Sequence, residues 1–150
     1  MRASAVSIVR DASVALMPPR RVAVSRGASD ALMIRQPGGY SGSWSPAETP
    51  YMVEPMNTFA SRDYKNMAFV GPAQSGKTDS IVINGLAYSV KVDPMDTMLY
   101  CPTNSAARDF SIRRVDRLHR HSPEIGAMLL KGRDADNVMD KHYVTGMIFT

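Results

Sequence analysis

Apolar positions along the chain alternate between two spacings. After Thr49-Pro50, a hydroxyl residue followed by proline at a first helical position, Tyr51, Met52, Met56 and Phe59 supply the apolar positions of a helix that ends before Ser61. Asn66-Met67-Ala68-Phe69-Val70 and Thr97-Met98-Leu99-Tyr100-Cys101 are instead short apolar runs, the second bounded by Pro102, and they predict buried strands. Between them Lys77 to Val90 reads as a helix, with Asp93-Pro94 breaking the chain after it. A helix from about Asn104 to His121 follows, then a short helical piece from Pro123 to Leu130. A hairpin of Val138 to Val144 with Met147 to Phe149 turns at Thr145-Gly146. Strand, helix, strand in that order predicts an α/β fold whose parallel sheet begins with a right-handed crossover.

Residues 1–46 have a different texture. Ser, Arg, Pro and Gly recur, two weak apolar patches appear, and Gln36-Pro37-Gly38-Gly39-Tyr40 is a loop signal, so this stretch is expected to be an irregular N-terminal arm ahead of a domain at 47–150.

The junction of the first strand and the loop helix carries the chemistry. Gly71-Pro72-Ala73-Gln74-Ser75-Gly76-Lys77-Thr78 fills every fixed position of G-x-x-x-x-G-K-[ST], the phosphate loop called Walker A. Amides converging at a helix start bind a polyanion through hydrogen bonds and the helix dipole. Gly71 and Gly76 permit torsions that a Cβ obstructs, and Pro72 stiffens the entry. Ala73, Gln74 and Ser75 lie between, the last two contributing mainly backbone donors. Lys77 is placed to reach the β- and γ-phosphates, and the Thr78 hydroxyl to ligate Mg²⁺. ATP with Mg²⁺ is the expected ligand, and the fold class sharpens to a P-loop NTPase with a partial, strand-helix-strand parallel core.

Net charge narrows the partners only slightly. The 150 residues carry a formal charge of +4, with a pI of about 9.4, which suits a polyanion such as nucleic acid without requiring one. No run of about eighteen apolar residues exists, and Arg10, Asp11, Pro18, Pro19, Arg20 and Arg21 interrupt any secretory core, so a cytoplasmic location with no membrane span is expected. The single Cys101 has no partner for an internal disulfide, and it falls inside an apolar strand. The three histidines and the cysteine form no spaced ligand cluster.

Arg108, Arg113, Arg114 and Arg117 on the helix from Asn104 are candidates for contact with DNA phosphates. A solvated face competes with that reading, because Asp109 with Arg113 and Asp116 with Arg120 are i,i+4 pairs of opposite charge. Arg114 stands apart. It lies on the arc shared with Ala107, Phe110 and Leu118, where an arginine should have a partner.

Beyond the loop, the residues Gly42-Ser43-Trp44, Thr49-Pro50-Tyr51, Glu54-Pro55-Met56, Tyr100-Cys101-Pro102-Thr103 and Ala107-Arg108-Asp109-Phe110 resemble, in order and spacing, the large terminase subunit of tailed phages, the lambda-type family that packages DNA into proheads. Asp136-Asn137-Val138 and Gly146-Met147-Ile148-Phe149 look like the segment this family places ahead of its Walker B strand. The likeness spans about Gly42 to Thr150. It implies the ATP-binding part of a motor that hydrolyses ATP to move double-stranded DNA. It also implies a small terminase subunit, a portal protein and further copies of the large subunit as partners, in the cytoplasm of the host.

Two departures accompany the likeness. No acidic pair at the end of an apolar strand follows the loop before Thr150, so a fragment ending ahead of Walker B, inactive alone, is expected. Relatives carry a Val-Ser-x-Trp-Ala stretch, whereas Val24-Ser25-Arg26-Gly27-Ala28 lacks the tryptophan. The alternatives are a helicase-like NTPase, since Tyr100-Cys101-Pro102-Thr103 before a helix also resembles superfamily-two helicases, and a nucleotide-binding remnant without turnover.

Overall fold

A computed structural model describes residues 22–35 and 41–150. Helix α1 (Val24–Ala31) opens the described chain. Val24 and Ala28 are one helical turn apart, Leu32 follows after another, and all three are buried. Strand β1 (Met33–Arg35) then pairs antiparallel with β2 (Ser41–Ser43), Met33 opposite Ser43. The Trp44 amide donates to the Leu32 carbonyl at 3.1 Å, and its indole is buried in the same core. The described part of 1–46 is therefore not irregular, which corrects the expected arm. Its four-residue apolar period is spaced out by Ser25, Arg26, Gly27 and Ser29, and composition alone hides it. Residues 1–21 and the expected loop at Gln36 to Tyr40 lie outside the described residues.

A 3₁₀ turn, Pro50–Met52, leads into α2 (Val53–Phe59), with Met52 and Met56 fully buried. The Thr49 hydroxyl ahead of Pro50 makes no cap bond and is buried without a partner among the described residues.

The loop helix begins as a π-helical stretch, Thr78–Ile83, and continues as α3 (Asn84–Lys91). Every residue from Ile83 to Val90 is buried, so this is the central helix, with α1 and α2 packed across it. Each large apolar side chain fully buried here contributes about 1.5–3 kcal/mol. The buried Asn84 directs Nδ2 at the Met56 sulfur, 3.8 Å away.

Thr103 caps the next helix, its Oγ1 accepting from the Ala106 amide at 3.1 Å. Helix α4 (Asn104–Phe110), a π stretch (Ser111–Val115) and α5 (Asp116–His121) run on without a break, and α6 (Pro123–Gly126) folds back against the end of α5. Val115, Leu118 and Ile125 turn into the core. Strands β3 (Lys141–His142) and β4 (Ile148–Phe149) form the expected hairpin, antiparallel with Lys141 opposite Phe149.

The architecture is mixed helix and strand, with two small antiparallel sheets among the described residues. Neither apolar run predicted as a buried strand is one here. Asn66 to Val70 is irregular, and Val70 is 95 % exposed. Thr97 makes one parallel bridge to Phe149, with the Thr97 amide on Ile148 O and the Leu99 amide on Thr150 O, each at 2.9 Å. Met98 and Tyr100, pointing the other way, stay exposed. A strand is buried on both faces only when flanking strands and covering helices enclose it, and no described segment flanks 66–70.

Candidate functional site

The segment Gly71–Thr78 folds round its own lysine. Lys77 Nζ donates to Gly71 O at 2.9 Å, to Pro72 O, and to Ser75 Oγ at 3.3 Å. Ser75 Oγ in turn donates to Pro72 O at 2.9 Å. Two left-handed torsions close the turn, Gln74 at φ 58° and Gly76 at φ 77°. Glycine adopts that region without penalty, and Gln74 holds it as a side chain rarely does. The turn joins the helix through the Ser80 amide, which donates to Gly76 O at 2.8 Å.

The donors that remain are informative. The amides of Gln74, Ser75 and Gly76 bond to nothing among the described residues. The Thr78 hydroxyl, half-buried at the helix start, is likewise without a partner there. From outside, Tyr51 Oη donates to Ser75 O at 3.2 Å, so the turn ahead of α2 leans on the loop. An open cleft of about 580 Å³ lies along α2, lined by Pro50, Val53, Glu54, Asn57, Thr58, Ser61 and Tyr64. None of the loop residues lines it.

The arginines of the α4–α5 helix divide. Arg113 makes an exposed i,i+4 contact with Asp109 at 3.9 Å. Asp116 does not pair with Arg120 as expected; Arg120 Nε donates to the Asp116 backbone carbonyl at 3.1 Å, while the Asp116 carboxylate is held by Lys141. The guanidinium groups of Arg108 and Arg117 bond to nothing among the described residues. Arg114 has the partner its arc requires: its Nη1 lies 3.2 Å from Asp79 Oδ1, on the residue that follows Thr78.

Sequence reasoning missed a second polar cluster behind this helix. Lys141, almost fully buried, places Nζ 2.6 Å from Asp136 Oδ1 and 2.9 Å from Asp116 Oδ1. Burial opposes its charge, but the hydrogen bonds it donates to both carboxylates, with their negative charge, prevail and raise its pKa. Beside it His119 Nε2 and Tyr143 Oη are 2.9 Å apart, and His119 Nδ1 is buried without a partner among the described residues. Burial, reinforced by the Lys141 ammonium, lowers the His119 pKa to about 4. Burial also raises that of Tyr143. The cluster ties α5 to the β3 strand. Its only trace in the sequence is a lysine within an apolar hairpin.

Cys101 is half-buried and free, lining a small apolar space with Leu99, Phe110 and Phe149. No group of three or more His, Cys, Asp or Glu is arranged for a metal ion, and no helix is long and apolar enough to cross a membrane, among the described residues.

Fold and site together define a mixed helix-and-strand protein in which a glycine-bearing turn, wrapped on a lysine, opens its central helix. Residues 38–150 match the family model of the phage terminase large subunit gpA, ATPase domain, and the chain belongs to that family. It is an ATPase portion of a phage terminase large subunit, which disfavours the helicase-like reading. No curated protein and no solved structure matches it.

Proposed function

We propose that Gly71, Pro72, Ala73, Gln74, Ser75, Gly76, Lys77 and Thr78 bind the phosphates of ATP, and that the bound nucleotide drives double-stranded DNA movement in the complete terminase. The observation that carries the reading is the loop itself. Left-handed Gln74 and Gly76 leave a run of amides unbonded at the head of a helix, with the Lys77 ammonium held against the carbonyls beside them. Unbonded amides and an ammonium at one helix start are a donor set for a polyanion and fit no cation.

In this reading the amides of Gln74 to Gly76 receive phosphate oxygens. Lys77 would exchange the Gly71 and Pro72 carbonyls for the β- and γ-phosphates, and the Thr78 hydroxyl would be the protein's ligand to the metal. Mg²⁺, when bound, neutralises charge shared between β- and γ-oxygens. Tyr51 and Ser80 hold the turn in place from either side.

Asn66 to Val70 and Thr97 to Cys101 belong, in this proposal, to the parallel sheet of the ATPase domain. The parallel bridge between Thr97 and Phe149 supports the assignment of the second of these segments. Arg108, Arg113, Arg114 and Arg117 are the candidate DNA contacts, Arg114 being the one already paired, with Asp79. The small terminase subunit, the portal and further copies of the chain are the proposed partners, and the host cytoplasm the proposed location; family membership supports both.

The test is a titration of the purified chain with a fluorescent ATP analogue and Mg²⁺, beside Lys77→Ala, followed by phosphate release with and without double-stranded DNA. Saturable binding that Lys77→Ala abolishes is expected. Binding that survives the substitution unchanged would overturn the loop assignment. Binding with no phosphate release marks the non-hydrolysing reading of the isolated chain.

A further inference from the structure

One ion pair joins two π-helical stretches of the chain. Asp79 lies in the first, Thr78–Ile83, and Arg114 in the second, Ser111–Val115. Their side chains meet at 3.2 Å. In each stretch a carbonyl accepts from the amide five residues on: Asp79 O from Asn84 N, and Ser111 O from Asp116 N. Such turns are wider than an α-helix by one residue, occur mostly as short insertions, and mark functional positions more often than chance. A return to α register on either side swings the side chains of that turn round the helix axis. The ion pair ties one such turn to the other, so a displacement of either acts on its partner.

The positions fix what would be coupled. Asp79 directly follows the hydroxyl of Thr78, inside the first turn of the helix that the loop opens. Arg114 is flanked on the same helix by Arg113, which is exposed, and Arg117, which is half-buried. Between the loop and the exposed arginines the Asp79–Arg114 pair is the direct side-chain ion pair among the described residues. Other ion pairs of the helix end elsewhere: Arg113 on its own Asp109, and Asp116 on Lys141.

We propose that Arg114 is a positioning residue, which transmits the nucleotide state of the loop through Asp79 to the arginine-bearing helix and so links ATP binding to DNA binding. This rests on the functional reading above. Linkage of this kind is reciprocal: if DNA shifts the affinity for nucleotide by some factor, nucleotide shifts that for DNA by the same factor.

The experiment measures the Kd of a fluorescent ATP analogue with Mg²⁺, with and without a saturating DNA duplex, for the unaltered chain, Arg114→Gln, Asp79→Asn and Lys91→Ala. The last removes a positive charge from an exposed pair with Glu124 on α6, away from the loop. DNA is expected to shift the unaltered chain's Kd by about fivefold or more. That shift should fall below about twofold in Arg114→Gln and in Asp79→Asn, while Lys91→Ala keeps it. A chain that binds both ligands without any shift, or a shift that survives Arg114→Gln and Asp79→Asn, would overturn the proposal while leaving the loop assignment standing. Absence of nucleotide binding in the unaltered chain would instead remove the functional reading beneath it. Because Arg114 and Asp79 are both partly exposed, both variants are expected to fold, and circular dichroism checks that.

Discussion

The Tyr51 hydroxyl donates to the carbonyl of Ser75 from 3.2 Å, so a residue ahead of α2 holds the crown of the loop. Tyr51→Phe deletes that bond and leaves the ring. An exposed neutral bond contributes about 0.5–1.5 kcal/mol. Nucleotide affinity should fall by about two- to tenfold with the melting temperature nearly unchanged, which titration and thermal denaturation of the two proteins will show. An equal affinity would mean that the loop holds its shape without Tyr51.

Gly76 is held at φ 77°, and a Cβ there meets only Ser80 Oγ, at 3.7 Å. Space is available, and conformation is the obstacle. Gly76→Ala should lower stability by roughly 1–2 kcal/mol and reduce nucleotide binding by more than tenfold, because the amide of residue 76 turns away. Urea unfolding and the fluorescent titration measure the two effects separately.

Gly126 poses the opposite problem. A Cβ on it would lie 2.3 Å from the carbonyl oxygen of His119, so α6 packs against the end of α5 only through a bare backbone. Gly126→Ala has to push the two helices apart, at a cost of about 1–3 kcal/mol. A fall in the urea midpoint with an unchanged slope would report it.

His119 faces Tyr143, with Lys141, Asp116 and Asp136 around it, and its pKa is about 4 against 6.5 in a free chain. The unfolded chain therefore takes up a proton more readily than the folded one. This contribution to stability is intact above about pH 6.5 and is lost as the pH falls toward 4. At pH 5 the loss is about 2 kcal/mol. His119→Gln should unfold with a shallower acid dependence between pH 7 and pH 5, measured by urea titration at both values. Identical slopes in the two proteins would show that His119 protonates freely in the fold.

Helices and turns were legible in the sequence where local chemistry decides them. Pro50 marked the entry to α2, Asp93-Pro94 the end of α3, and Thr145-Gly146 the final hairpin. The helix from Lys77 to Val90 was readable, but the burial of Asn84 and Ser89 in it was not, because polar side chains at those positions do not announce a helix enclosed on every side. The strand at Asn66 to Val70 was inferred from an apolar run, but a run says what a segment is able to bury and not what covers it. Helix α1 was missed because small and polar residues separate its three anchors.

The loop's fixed positions were readable one by one, as was the need for a partner at Arg114. That partner, Asp79, was not, since it lies 35 residues away and pairs only through the packing of two helices. The Lys141 cluster was hidden for the same reason, joining Asp116, Asp136 and His119 from three segments.

The chain's one tryptophan, Trp44, is 3 % exposed and seated beside Leu32 at the junction of α1 and β2. Its emission should be blue in the native protein and move to the red once α1 lifts from the central helix. The molecule thus carries a built-in optical probe for its N-terminal packing, separable from nucleotide fluorescence and requiring no label.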